Sequence, residues 1–148
     1  MLYPLSYEGC GSDGSPRRYA LLVPPTSVLV VDDDPVIVRL LQVNFELEGI
    51  HVTVAVDGEE GLQLAKANPP DVIISDIMMP KLNGLELLAA LRALPALAGI
   101  PIILLSAKAQ AADVQRGMEL GADDYVTKPF DPLELIDRVY KVLAKSRR

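Results

Sequence analysis

The feature that most constrains this chain is a set of short, unbroken apolar runs, each stopping on a polar residue. Val28–Val31 stops at Asp32, Asp71–Ser75, apolar at Val72-Ile73-Ile74, stops at Asp76, and Ile102–Leu105 stops at Ser106. Runs this short without alternation read as strands covered on both faces, the pattern of a parallel sheet inside helices. The segments between them change to helical period: Ile37, Leu40, Leu41 and Phe45, then Leu85, Leu88 and Leu91, then Leu135, Ile136, Val139 and Leu143. Each such segment opens on a capping residue: Asp34 before Pro35, Asp57 with Glu60, Asn83, and Asp131 with Glu134. Two weaker strands complete the series, His51–Val56 and Asp124–Thr127, and a fourth helix is predicted from about Gln110 to Leu120, ended by Gly121. Strand and helix therefore alternate five times through short connections. That pattern is an α/β chain with a parallel sheet and helices on both faces.

At 148 residues the chain makes one domain of ordinary globular composition, large enough to fold without a disulfide or metal staple. Residues 1–26 lack periodicity and contain a Gly/Ser/Pro-rich stretch, so they are expected to be a flexible N-terminal leader ahead of a domain at 27–146. Cys10 is the only cysteine and His51 the only histidine, which excludes disulfide frameworks, multi-cysteine metal centres and histidine-based catalytic triads. A net charge of −6 disfavours direct binding of nucleic acid or anionic membrane. No apolar run reaches the roughly 18 residues of a membrane helix. Arg17-Arg18 before Tyr19–Val23 imitates a twin-arginine signal, but Pro24-Pro25 interrupts it, so the expected location is cytoplasmic.

Open α/β sheets bind ligands beyond the carboxyl ends of their strands, at the switch in strand order. The residues that end the strands here are Asp32, Asp33 and Asp34, then Asp76, then Ser106, then Thr127 and Lys128. Taken singly each has a bland reading: Asp34 as a helix cap, Asp76 and Ser106 as turn formers, Lys128 as a surface lysine before Pro129. Taken together they aim carboxylates, a hydroxyl and an ammonium at one rim. Crowded carboxylates oppose one another's ionisation, so such a rim calls for positive charge. Lys128 supplies one, and a hard divalent cation suited to oxygen ligands and retained water, Mg²⁺, supplies the rest.

In the segments Val28–Pro35, Asp71–Pro80, Pro101–Ala107 and Gly121–Phe130 the chain resembles the response-regulator receiver domain of two-component signalling, over Ser27 to about Leu143. The resemblance implies a doubly wound, flavodoxin-like (βα)5 three-layer sandwich with strand order 2-1-3-4-5. It implies Asp76 as phosphoacceptor, and Asp33, Asp32, Asp76 and the Met78 carbonyl as Mg²⁺ ligands, with Asp32 acting chiefly through water. It further implies Lys128 as the phosphoryl partner, Ser106 as the switch hydroxyl, Tyr125 as the switch aromatic, and a cis peptide at Lys128-Pro129. The implied donor is a sensor histidine kinase or phosphotransfer protein. The implied output is an unidentified partner or effector acting through the fourth helix, fifth strand and fifth helix. A homodimer could form there by pairing Asp123 or Asp124 with Arg138, although Val114 stands where the transcriptional branch often carries an arginine.

Carboxylate attack on phosphorus needs positioning and charge neutralisation rather than an acid–base group, which agrees with a site that has no histidine. A flavodoxin-type nucleotide binder would want a phosphate loop where the chain has Asp32, Asp33 and Asp34. A haloacid-dehalogenase-type phosphatase would want a second aspartate where Met78 stands. A receiver-like module that binds partners without being phosphorylated remains the serious rival. The reading is thus a signalling switch that catalyses its own phosphorylation and dephosphorylation, not an enzyme.

Overall fold

The computed structural model describes residues 26–79, 81–107 and 111–146; the expected leader, Pro80 and Gln110 lie outside them, apart from Thr26. The strands are β1 (Ser27–Val31), β2 (His51–Ala55), β3 (Val72–Asp76), β4 (Ile102–Ser106) and β5 (Asp124–Thr127). The helices are α1 (Pro35–Leu47), α2 (Gly58–Ala67), α3 (Gly84–Ala93), α4 (Ala111–Glu119) and α5 (Pro132–Ser146). All strand pairs are parallel and the sheet order is β2-β1-β3-β4-β5. This is the doubly wound, three-layer flavodoxin-like arrangement.

Alternate residues of each strand feed opposite layers. Val28, Val30, Ile74, Ile103 and Leu105 pack with Leu41 and Phe45 of α1 and Leu135, Val139 and Leu143 of α5. Leu29, Val31, Ile73 and Leu104 pack with Leu87, Leu88 and Leu91 of α3 and Ala65 of α2. Burying side chains of this size stabilises the fold by about 1.5–3 kcal/mol each before entropy is counted. Leu40, expected in the core, lies instead at the solvent edge of α1 (37% exposed), because the tight stripe facing the sheet is carried by Leu41 and Phe45. The N-terminal caps stand where expected: Asp34, Asp57 and Asn83 accept from the backbone N–H of Val36, Glu60 and Glu86. Thr26 is buried, and its carbonyl accepts from His51 N–H.

The amino ends of β4 and β5 are closed by Arg92 at the end of α3. Its guanidinium donates to the carbonyls of Ala98 (3.0 Å), Ile100 (2.7 Å) and Gly121 (2.8 Å) and to Asp123 Oδ2 (3.0 Å). Asp123 Oδ2 also accepts from Ile102 N–H. Helix α4 is by contrast thinly seated: Gly117 is its one buried residue, lying against Leu104 and Leu85. No helix among the described residues is long and apolar enough to cross a membrane.

Candidate functional site

The chain winds outward in both directions from β1 and β3, so their carboxyl ends border the crevice of the sheet. Asp76 is the last residue of β3, and Asp32 and Asp33 follow β1 directly. One carboxylate oxygen from each of these three lies within 4.8 Å of the others. Asp32 is held most firmly: its N–H donates to Ala55 O (3.0 Å), and its Oδ1 accepts from Asp34 N–H (2.9 Å). Its side chain is fully buried. Asp33 is exposed. Asp34 caps α1 and stands apart from the cluster, as its bland reading held.

Lys128 reaches the cluster from the end of β5. Its Nζ lies 3.2 Å from Asp32 Oδ2 and 3.2 Å from Asp76 Oδ2. The Lys128-Pro129 peptide is cis, and Lys128 N–H donates to Ser106 O at 2.7 Å. One ammonium shared between two carboxylates leaves the acidic side in excess. Burial pushes the Asp76 carboxyl above the ordinary aspartate range and the neighbouring Asp32 adds to this, while Lys128 and the Met78 N–H offset only part of it. Burial pulls the Lys128 ammonium down, but the facing Asp32 and Asp76 outweigh it, so its pKa ends above that of a free lysine.

Donors made wholly of oxygen, close together and over-acidic, fit a hard divalent cation rather than a soft transition metal. Met78, whose carbonyl the sequence reading added to this set, follows two residues after Asp76 on the β3–α3 connection, with its side chain in solvent. Ser106 ends β4 one residue beyond Leu105, the partner of Asp76 in the sheet register, and is buried. Tyr125, opposite Leu104 in β5, is 41% exposed. Arg138 already has partners within the chain: its NH1 lies 2.9 Å and 3.1 Å from the two Asp124 oxygens and 3.2 Å from Tyr125 O. Asp123 is engaged by Arg92. Within one chain, β5 and α5 bring Asp124 and Arg138 face to face, so the residues envisaged for a cross-subunit pairing also pair within the molecule.

Two glycines that sequence reasoning passed over shape the rim. Gly84, the first residue of α3, packs against the Asp76 carbonyl and donates its N–H to Ile77 O at 2.8 Å. Gly58, the first residue of α2, packs against Leu82 O and donates its N–H to it at 3.0 Å. Their signal was a glycine at the first helical position after Asp57 or Asn83, where glycine is a poor helix former and needs another reason to be there.

A family model described as the response regulator receiver domain matches residues 28–140. The alkaline phosphatase synthesis transcriptional regulatory protein PhoP of Bacillus subtilis (strain 168) is 48% identical over 119 residues, 80% of this chain and 49% of that protein. The DNA-binding response regulator MtrA of Mycolicibacterium smegmatis is 43% identical over 119 residues, 80% of this chain and 51% of that protein. The chain thus spans about half the length of the curated relatives it matches. Among solved structures, the receiver domain of the Francisella response regulator 1452 superposes with a TM-score of 0.74 at 44% identity, covering 83% of this chain and 99% of that one. The Vibrio cholerae chemotaxis protein CheY4 superposes with a TM-score of 0.75 at 33% identity, covering 80% of this chain and 99% of the other.

Proposed function

This chain belongs to the response-regulator receiver family, and we propose that Asp76 is its phosphoacceptor in a switch driven by a partner histidine kinase or phosphotransfer protein. The observation that carries the reading is the sharing of Lys128 between Asp32 and Asp76 at the crevice, with Asp33 completing the acidic set. An oxygen of the Asp76 carboxylate attacks the phosphorus of a phosphohistidine or small acyl phosphate. The new P–O bond forms as the bond to the donor's imidazole nitrogen or acyl oxygen breaks, and the leaving group keeps the electron pair. Lys128, within salt-bridge reach of Asp76, pairs with the incoming phosphoryl oxygens. Asp32, Asp33, Asp76 and the Met78 carbonyl would hold Mg²⁺, which when bound supplies further positive charge to those oxygens. The Asp76 carboxyl, pushed up by burial and by Asp32, gains most from cations in the site.

On this reading Ser106 donates its hydroxyl to the phosphoryl group, and Tyr125 follows it inward from its exposed position. The surface of α4, β5 and α5 thereby carries the state outward. Since PhoP is a transcriptional regulatory protein and MtrA a DNA-binding response regulator, the proposed output is control of transcription, reached through that surface, with a homodimer as one form of it. Such a dimer requires Arg138 to exchange its own Asp124 for a partner's. Incubation with acetyl phosphate and Mg²⁺ tests the acceptor: the chain is expected to gain one phosphoryl group and Asp76→Asn none. Label retained on Asp76→Asn moves the acceptor elsewhere, with Asp33 the first suspect. An unlabelled wild-type chain favours the rival module that binds without phosphorylation.

A further inference from the structure

The connection between β3 and α3, which carries Met78, is fastened from one side by the first turn of α2. Gly58 N–H donates to Leu82 O at 3.0 Å, and a Cβ on Gly58 would meet that same carbonyl, with Leu82 C at 2.8 Å and Leu82 Cβ at 2.9 Å. Only a glycine lets the helix start lie this close. The preceding Asp57 is nearly buried, accepts from Glu60 N–H at 2.8 Å, and turns its other oxygen to Lys81 Nζ at 3.6 Å. Glu60 in turn accepts from Val56 N–H, so the capping residues are themselves fixed. Lys81, which makes the second of these fastenings, is held at φ 65°, a left-handed conformation a lysine keeps only when its surroundings demand it. The Lys81 side chain is 64% exposed, so its ion pair contributes little and the close backbone contact carries the effect.

We propose that Gly58, supported by the Asp57 cap, is a positioning residue: the first turn of α2 sets the loop that presents the Met78 carbonyl, and with it the affinity of the acidic rim for a divalent cation. The proposal rests on the metal-binding reading above, and none of these residues is among the proposed ligands. Neighbours that orient a metal ligand typically govern affinity by about 10–100-fold. Coupling of this kind is reciprocal, so the bound cation must stabilise the Gly58–Leu82 contact by the same factor by which that contact favours the cation.

The test is Mg²⁺ titration of the full chain, followed by NMR, for wild type, Asp33→Ala, Gly58→Ala and Leu91→Ala. Leu91 is a buried core residue near the other end of α3 and controls for simple loss of stability. Gly58→Ala is expected to bind Mg²⁺ at least about 10-fold more weakly, while Leu91→Ala binds like wild type. Wild-type affinity in Gly58→Ala, or an equal loss in Leu91→Ala, overturns the proposal. A wild-type chain that binds no Mg²⁺, or binds it no better than Asp33→Ala, overturns the underlying reading of the rim instead. Should Gly58→Ala fail to fold, hydrogen exchange in the wild type decides. Mg²⁺ is expected to slow exchange of the Gly58 amide several-fold more than that of Gly61, which bonds within the helix cap to Asp57 O. Equal slowing of the two amides overturns the proposal.

Discussion

Replacing Gly84 by alanine probes how closely α3 must sit on the strand end that bears Asp76. The added Cβ would run into the Asp76 carbonyl oxygen, and would stand 2.9 Å from Ile77 Cα and 3.1 Å from Asp76 C. All three atoms are main chain, so no flexible side chain can yield. Restoring ordinary carbon–carbon contact of about 3.5–4.0 Å requires the helix start and the strand end to part by roughly 0.6 Å or more. Overpacking of this kind costs about 1–3 kcal/mol, with the upper end fitting a rigid partner. Alanine's better helix propensity returns at most about 1 kcal/mol. The net loss is about 2 kcal/mol, or roughly 6–8 °C in melting temperature for a domain of this size. Because the displaced atoms belong to Asp76 and Ile77, phosphorylation by acetyl phosphate should slow as well, by up to about 100-fold if the shift approaches 1 Å. Gly99→Ala is the control, since a Cβ there meets nothing within 4 Å and should change stability by less than about 0.5 kcal/mol. Urea unfolding and labelling rates on both variants check the argument. A Gly84→Ala protein as stable and as readily labelled as Gly99→Ala refutes it.

Further outcomes follow from the charges at the rim. Because the folded state holds the Asp76 pKa above its unfolded value, ionising Asp76 opposes folding: the penalty is absent below the unfolded pKa and complete above the folded one. Stability should therefore fall as pH rises through that window, and Asp76→Asn should remove the fall and be the more stable protein at neutral pH, as thermal melts across pH would reveal. Asp33→Ala should bind Mg²⁺ far more weakly in titrations while leaving the metal-free protein at least as stable, since it takes one carboxylate from a cluster that, among the described residues, has Lys128 alone to balance it. Ser106→Ala should still be phosphorylated but should couple poorly to output: a beryllofluoride-induced shift in sedimentation, expected for the wild type, should shrink in the variant, and an identical shift in both removes Ser106 from the switch.

How far the residues alone carried this reading depended on whether a contact is local. The three central strands were legible because residues covered on both faces must be apolar, the edge strands β2 and β5 less so because polar residues interrupt each, and the helix starts because Asp34, Asp57 and Asn83 cap their own first turns. The gathering of Asp32, Asp33, Asp76 and Lys128 was legible too, since parallel strands must end at one rim. Leu40 misled because it shares helical spacing with Leu41, and one residue of rotation separates the core from the solvent edge. The roles of Gly58, Gly84 and Arg92 stayed hidden because each is defined by a backbone group of another segment, and nothing local marks a carbonyl as crowded or bonded. The same limit applied to Arg138. A sequence can present Asp124 as its partner but cannot say whether that partner belongs to the same molecule.

Arg92 also fixes how α4 can move. Its guanidinium grips the Gly121 carbonyl just beyond the last turn of α4 and Asp123 just ahead of β5, while Gly117, buried, and Val114, partly buried, seat the helix on the core. Such a helix is a lever with a clamped heel. A helix held at one end is freer to swing than to slide, and a swing about that end is greatest at the toe, Ala111. Under the switch proposed above, a small pull at the acidic rim would be magnified over the outer face of α4 with little disturbance below the clamp, and the toe would be where sequence can vary the message without endangering the fold.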